Sequence, residues 1–157
     1  MLSLIIRNLI FTVLQPGIVA GLIPYLILQD KISTTFVRPW QFYKYLGAIG
    51  FVAGLIIMLW CIASFAIDGL GTLSPADPTK KLVITRLYKF SRNPMYVGVM
   101  LMLIGQAIFY QSTFLLVYLI GIFLAFNLFV IFKEEPRLRK DFGEDYNNYC
   151  RKVRRWI

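Results

Sequence analysis

A chain of 157 residues makes one ordinary domain. Apolar residues are 58% and charged residues 16% of it, against roughly 45–50% and about 25% in soluble domains, which excludes a disordered, collagen-like or disulfide-stapled chain. Seventeen Lys and Arg against eight Asp and Glu leave a formal charge of +9, and there is no histidine.

The uncharged stretches account for the hydrophobicity. A bilayer core of about 30 Å takes roughly 20 helical residues. The 22 residues between Arg7 and Asp30 and the 23 between Lys44 and Asp68 each predict one span. A soluble helix bundle would show an apolar stripe at i, i+3, i+4, whereas these segments are apolar all round. The opening apolar run exceeds the roughly 7–15 residues of a signal-peptide core, so it reads as a retained span. Gln15-Pro16-Gly17 is expected to kink it.

From Asn93 to Phe132 run 40 more uncharged residues, too long for one span, with Gln111-Ser112-Thr113 as the natural turn. The expectation is all-α: a single polytopic membrane domain over 1–157. Its spans fall near 8–29, 45–67, 95–110 and 114–132, with a loop over 68–94 and an amphipathic helical tail over 133–157. The N-terminus, the loop and the tail then share one side and carry 14 basic residues, against three on the other. The positive-inside rule puts both termini in the cytoplasm. The charge therefore speaks for topology and contact with membrane lipids, not for nucleic acid. Cys61 falls in a span and Cys150 in the tail, so no disulfide is expected, and no spacing suggests a metal site.

The two soluble segments hold the informative chemistry. The loop ends in Arg92-Asn93-Pro94-Met95-Tyr96. Pro94 suits the first helical turn, with Asn93 as N-cap, which places Arg92, Asn93 and Tyr96 at a helix entrance with free backbone N–H groups. The tail opens Lys133-Glu134-Glu135-Pro136-Arg137-Leu138. Two adjacent carboxylates against the membrane are costly unless solvated or paired, and Pro136 suggests a new helix starting there. Leu138, Phe142, Tyr146, Tyr149, Val153 and Trp156 then recur on one helical face, interrupted by Gly143. Such a tail would cover the helix ends as a lid.

Arg92-Asn93-Pro94-Met95-Tyr96, an apolar hairpin, Glu134-Glu135, and Phe142-Gly143 with Tyr146, Tyr149, Val153, Arg155 and Trp156 resemble the isoprenylcysteine carboxyl methyltransferase/phospholipid methyltransferase family over about residues 70–157. The family pattern has Arg-His-Pro-x-Tyr, so Asn93 stands where a histidine is usual, and Arg86 stands where a glycine often precedes the Leu-Tyr pair. The resemblance implies an enzyme that binds S-adenosylmethionine at the cytoplasmic membrane face and methylates a lipid-like acceptor. It implies cofactor contacts from Arg92, Asn93, Pro94, Tyr96, Glu134, Tyr146 and Tyr149. Glu135 and Glu134 are the candidate catalytic groups, because an amine acceptor must lose a proton and no imidazole is present. A carboxylate or thiolate acceptor needs no base, and the missing histidine leans that way. Two alternatives are an NADPH-dependent enzyme like the sterol reductases and a non-catalytic membrane scaffold. The retained Glu134, Glu135 and Tyr96 argue against the scaffold.

Overall fold

The computed structural model describes residues 14–37, 39–68, 82 and 84–157, and among them there are helices and no strand. Five α-helices carry the architecture: α1 (Ile23–Val37), α2 (Phe42–Asp68), α3 (Pro94–Tyr110), α4 (Thr113–Phe129) and α5 (Glu135–Lys152). Five-residue π turns, Ile18–Leu22 and Val130–Glu134, lead directly into α1 and α5. A short 3-10 turn, Arg86–Lys89, precedes α3.

Among the described residues, two helices are long and apolar enough to cross a membrane: Phe42–Ser64, and the continuous helix from Thr113 through α5. Leu14–Gln29 and Pro94–Tyr110 are shorter apolar helices beside them. Ile49, Val52 and Ile56 of α2 and Val117, Ile120 and Leu124 of α4 are exposed. A water-soluble protein rarely leaves such continuous apolar faces uncovered. In a bilayer they meet lipid chains.

The deepest packing joins α2 to α3, and glycine makes it possible. A Cβ on Gly54 would stand 2.5 Å from the Gly98 carbonyl oxygen, and one on Gly47 would stand 2.7 Å from that of Gly105. The two pairs are seven residues apart on each antiparallel helix, so one face of each helix is brought backbone to backbone. Small residues play this part in membranes, where no hydrophobic effect drives helices together. The second and third expected spans thus carry a close-packing motif that only their pairing reveals.

The first π turn pins the N-terminal helix. The Ile23 N–H donates to Ile18 O, five residues back, and Pro24 has no N–H. Val19 and Ala20 therefore lose their helical donors. Tyr118 donates its hydroxyl to Val19 O (3.0 Å), and Gln106 donates its amide to Ala20 O (2.7 Å). In an apolar medium these freed carbonyls must find partners, and α4 and α3 supply them. The irregularity expected at Pro16 lies instead ahead of Pro24, and residues 14–17 are helical. Residues 8–13 of the first expected span lie outside the described residues.

α3 and α4 form the expected hairpin. Gln111 takes the left-handed conformation (φ 46°), and Ser112 caps α4 by accepting the Leu115 N–H. At this same end Lys31 donates to Gln111 O, Lys44 donates to Thr35 O, and the Trp40 ring meets Phe109. The 3-10 turn, the second π turn and α5 gather at the other end.

Candidate active site

The second π turn repeats the geometry of the first, with a proline at the same place two residues past it. Glu135 N–H donates to Val130 O, and Pro136 follows with no donor. A wider turn carries the helix past the proline ring without a break. Pro136 therefore starts no separate helix, and α4 runs into α5. Glu134 and Glu135 lie on this joint.

The two carboxylates face different partners. Glu135 is buried and accepts from three guanidinium N–H groups: Arg92 Nη1 (3.1 Å), Arg155 Nε (2.7 Å) and Arg155 Nη2 (3.1 Å). Donating to Glu135 raises the pKa of Arg155 further. Glu134 accepts one bond, from the Tyr96 hydroxyl (3.1 Å). Burial pushes its carboxyl up from the usual value of 4.5; the Tyr96 bond and Arg137 pull it back, and Glu135 adds to the rise. Arg137, three residues on and so on the same helical face, thus belongs to the Glu134 surroundings.

The C-terminus completes the site. Gly143, at φ 53° and ψ −123°, breaks the regularity of α5 in a conformation reserved for glycine. The helix stops at Lys152, and Val153 is extended, so Trp156 is not on the helical stripe. Residues 153–157 form an arm that returns to the entrance of α3. Arg92 N–H donates to Arg154 O (2.9 Å), and the Asn93 side-chain amide donates to Arg155 O (2.9 Å). Asn93 makes no side-chain cap; its Nδ2 amide donates to the arm instead. Its own N–H goes to Ser91 Oγ. Two of the backbone donors expected to be free at the α3 entrance are therefore used inside the protein.

Tyr96, just after Pro94, stacks on Phe126 at 4.6 Å between centroids and meets Trp156 edge-on at 6.5 Å. Tyr146 and Tyr149 are both buried, and Tyr149 donates to Tyr88 O (2.6 Å). Burial raises the phenol pKa of Tyr88, Tyr146 and Tyr149, so all three stay protonated near neutral pH. Arg92 also donates Nη1 to Cys150 Sγ (2.9 Å). Beyond Tyr149 lies a cavity of about 710 Å³ lined by Lys89, Phe142, Asn148 and Lys152, within the roughly 300–1,000 Å³ of small-molecule sites.

The seven residues expected to contact a cofactor divide accordingly. Arg92, Asn93, Pro94, Tyr96 and Glu134 meet at the α3–α4 mouth, Tyr146 packs beside them, and Tyr149 turns towards the cavity. Among the described residues, two buried donors in this region have no protein partner: Arg92 Nε and Arg137 Nε. The chemistry fits S-adenosylmethionine, with guanidinium N–H groups for its carboxylate, Glu134 for its hydroxyls or ammonium, and aromatic faces for its sulfonium. Sequence reasoning had left out Arg137 and Asn127 as site residues. The signal for Asn127 is a lone amide in the apolar run from Phe114 to Phe132.

The family model for phospholipid methyltransferases matches residues 42–145, from the start of α2 into α5. An uncharacterised protein of Haemophilus influenzae is 33% identical over 63 residues, which is 40% of this chain and all of that relative. No solved structure matches the chain. With a match across two-thirds of its length, apolar helices fit to span a bilayer and the family's motif residues gathered at one mouth, the chain is an integral membrane protein of the phospholipid methyltransferase family, a family of membrane methyltransferases.

Proposed function

We propose that the protein transfers a methyl group from S-adenosylmethionine to the amine of a phospholipid headgroup at the cytoplasmic membrane face. The observation that carries this reading is the difference between the two adjacent carboxylates. Glu135 is committed to Arg92 and Arg155, whereas Glu134 is half-buried, holds one hydrogen bond and has a raised pKa. An amine acceptor needs a base, and the single hydrogen bond and raised pKa of Glu134 support that role for it. That outweighs the lean of the histidine-free sequence towards an anionic acceptor.

S-adenosylmethionine supplies a methyl group on a sulfonium, an electrophile that needs no metal. The protein does the rest. Arg92 and Arg137 offer their unpaired Nε–H groups to a carboxylate. The Tyr96 and Phe126 faces favour a cation beside them. Glu134 accepts the proton that an ammonium headgroup must lose before its nitrogen can attack, and the Tyr96 hydroxyl orients that carboxylate. Positioning in a water-poor site carries the remainder. In this reading all four helical segments span the membrane. The two-residue step from α3 to α4 lies outside, and both termini and the 68–93 loop face the cytoplasm, as the basic bias requires.

Calorimetric titration of S-adenosylmethionine and of NADPH into purified protein tests the cofactor. Transfer of labelled methyl to phosphatidylethanolamine vesicles tests the acceptor. Glu134→Gln should retain binding within about one decade and lose roughly 10²–10⁴ in turnover. Binding of NADPH alone would replace this reading with the reductase one.

A further inference from the structure

The arm does more than close the cytoplasmic end, because its penultimate residue reaches down between α3 and α4. Trp156 meets Tyr96 of α3 at 6.5 Å and Phe123 of α4 at 5.6 Å, so its indole bridges the seam of the hairpin. Its Nε1–H donates to Asn127 Oδ1 at 3.3 Å. Asn127 lies seven residues before Glu134, about 10 Å deeper along the helix. Phe123, beside the indole, is exposed on the lipid-facing surface. The Tyr96 ring that Trp156 touches is the one whose hydroxyl bonds Glu134. The indole thus stands between the lipid side of the seam and the carboxyl group. A lone amide among apolar residues fixes its position.

We infer that Trp156, held by Asn127, is the side gate of the site: it determines how a lipid acceptor reaches Glu134 from the bilayer, and it does not hold the cofactor. This rests on the proposed methyl transfer to a lipid, and it moves Trp156 from a cytoplasmic lid to a membrane-side wall. A plain interfacial anchor, the common role of tryptophan at headgroup depth, would need neither Asn127 nor contact with the Tyr96 ring. Asn127 is a positioning residue acting through Trp156.

Two measurements test the gate, and one needs no turnover. In a Trp40→Phe, Trp60→Phe protein reconstituted in phosphatidylethanolamine vesicles and excited beyond the tyrosine band, Trp156 is the sole emitter. Lipids brominated on the upper acyl chain should quench it, and acrylamide should quench it weakly. Strong acrylamide quenching with none from the lipids would overturn the gate in favour of a water-side lid. In the second measurement, Trp156→Ala and Asn127→Leu should change kcat/KM for phosphatidylethanolamine by about threefold or more, with S-adenosylmethionine affinity held within about twofold. Trp156→Phe should restore most of the wild-type value. Loss of cofactor affinity with unchanged lipid KM would sink the gate. Failure of the wild-type protein to bind S-adenosylmethionine or to methylate the lipid would count against the proposed function, and the quenching result would still decide where Trp156 stands.

Discussion

Replacing Glu135 by Gln tests whether the arm is held by electrostatics. The Glu135 side chain is 9% exposed and accepts from Arg92 (13%) and Arg155 (32%). Removing one partner of a buried ion pair costs about 3–5 kcal/mol, because the remaining charge is left uncompensated. Arg155 is nearly one-third exposed, so water screens part of its share, and Gln keeps one acceptor oxygen. The expected loss is about 2–3 kcal/mol, corresponding to a fall in Tm of roughly 4–12 °C for a chain of this size. Hydrogen exchange at Arg92 N–H, whose acceptor is Arg154 O, should accelerate with it, since the arm supplies that bond. Glu134→Gln is the control. A Gln oxygen still accepts from Tyr96, and the half-buried group no longer ionises, so stability should hold or rise slightly. A Glu135→Gln protein with wild-type Tm and an unchanged Arg92 amide would refute the clasp.

Other substitutions read separate parts of the molecule. Gly54→Ala places a methyl 2.5 Å from the Gly98 carbonyl oxygen and should cost about 2 kcal/mol or more in detergent melting. Gly50→Ala, with its nearest contact at 3.5 Å, should be tolerated. Gly143→Ala meets nothing within 4 Å, so its expected loss of about 1–3 kcal/mol is backbone strain alone, visible as faster proteolysis of the arm. Pro136→Ala restores a backbone donor to Phe132 O, lets the π turn relax to α, and rotates the tail by about 100°; cross-linking of cysteines placed at 93 and 155 should then fall. Because burial raises the Glu134 pKa, kcat/KM should drop as pH falls through a midpoint above 4.5, and Glu134→Gln should abolish that limb. The stability from Glu134 runs the opposite way, full in acid and lost as pH climbs through the raised value.

The helical, membrane-embedded character was legible because it rests on composition and on stretches free of charge. The hairpin turn was legible too, since Gln111 and Ser112 are the polar residues where the run is too long for one span. Register was not. Nothing in the α2 composition marks Gly47 and Gly54 until they are set against Gly98 and Gly105 at the same seven-residue spacing. The site motif was read from resemblance, and the structure brings most of its residues together at one mouth. The partners escaped, because contacts between residues 92 and 155 depend on where the chain returns. Arg86 is instructive: its φ of 55° shows why glycine is common at that place in the family, a backbone reason that a side chain cannot reveal.

The chemistry follows from two register shifts. A proline two residues past a five-residue turn cannot continue an α-helix without a clash, and widening the turn by one residue avoids it. At Pro24 the freed carbonyls are taken by Gln106 and Tyr118, and the result is a staple between helices. At Pro136 the same device puts Glu135, instead of Glu134, one turn beyond buried Val130. Neighbouring residues on a helix point about 100° apart, so once Glu135 faces Arg92 and Arg155, Glu134 must turn towards a different wall, where it meets Tyr96. Two identical side chains thereby receive different electrostatic surroundings. One stays bound to two arginines and fixes the arm, and the other is left with a single phenol and a raised pKa. Sequence adjacency alone would make the pair repel each other. The π turn makes one of them structure and leaves the other for the proton transfer proposed above.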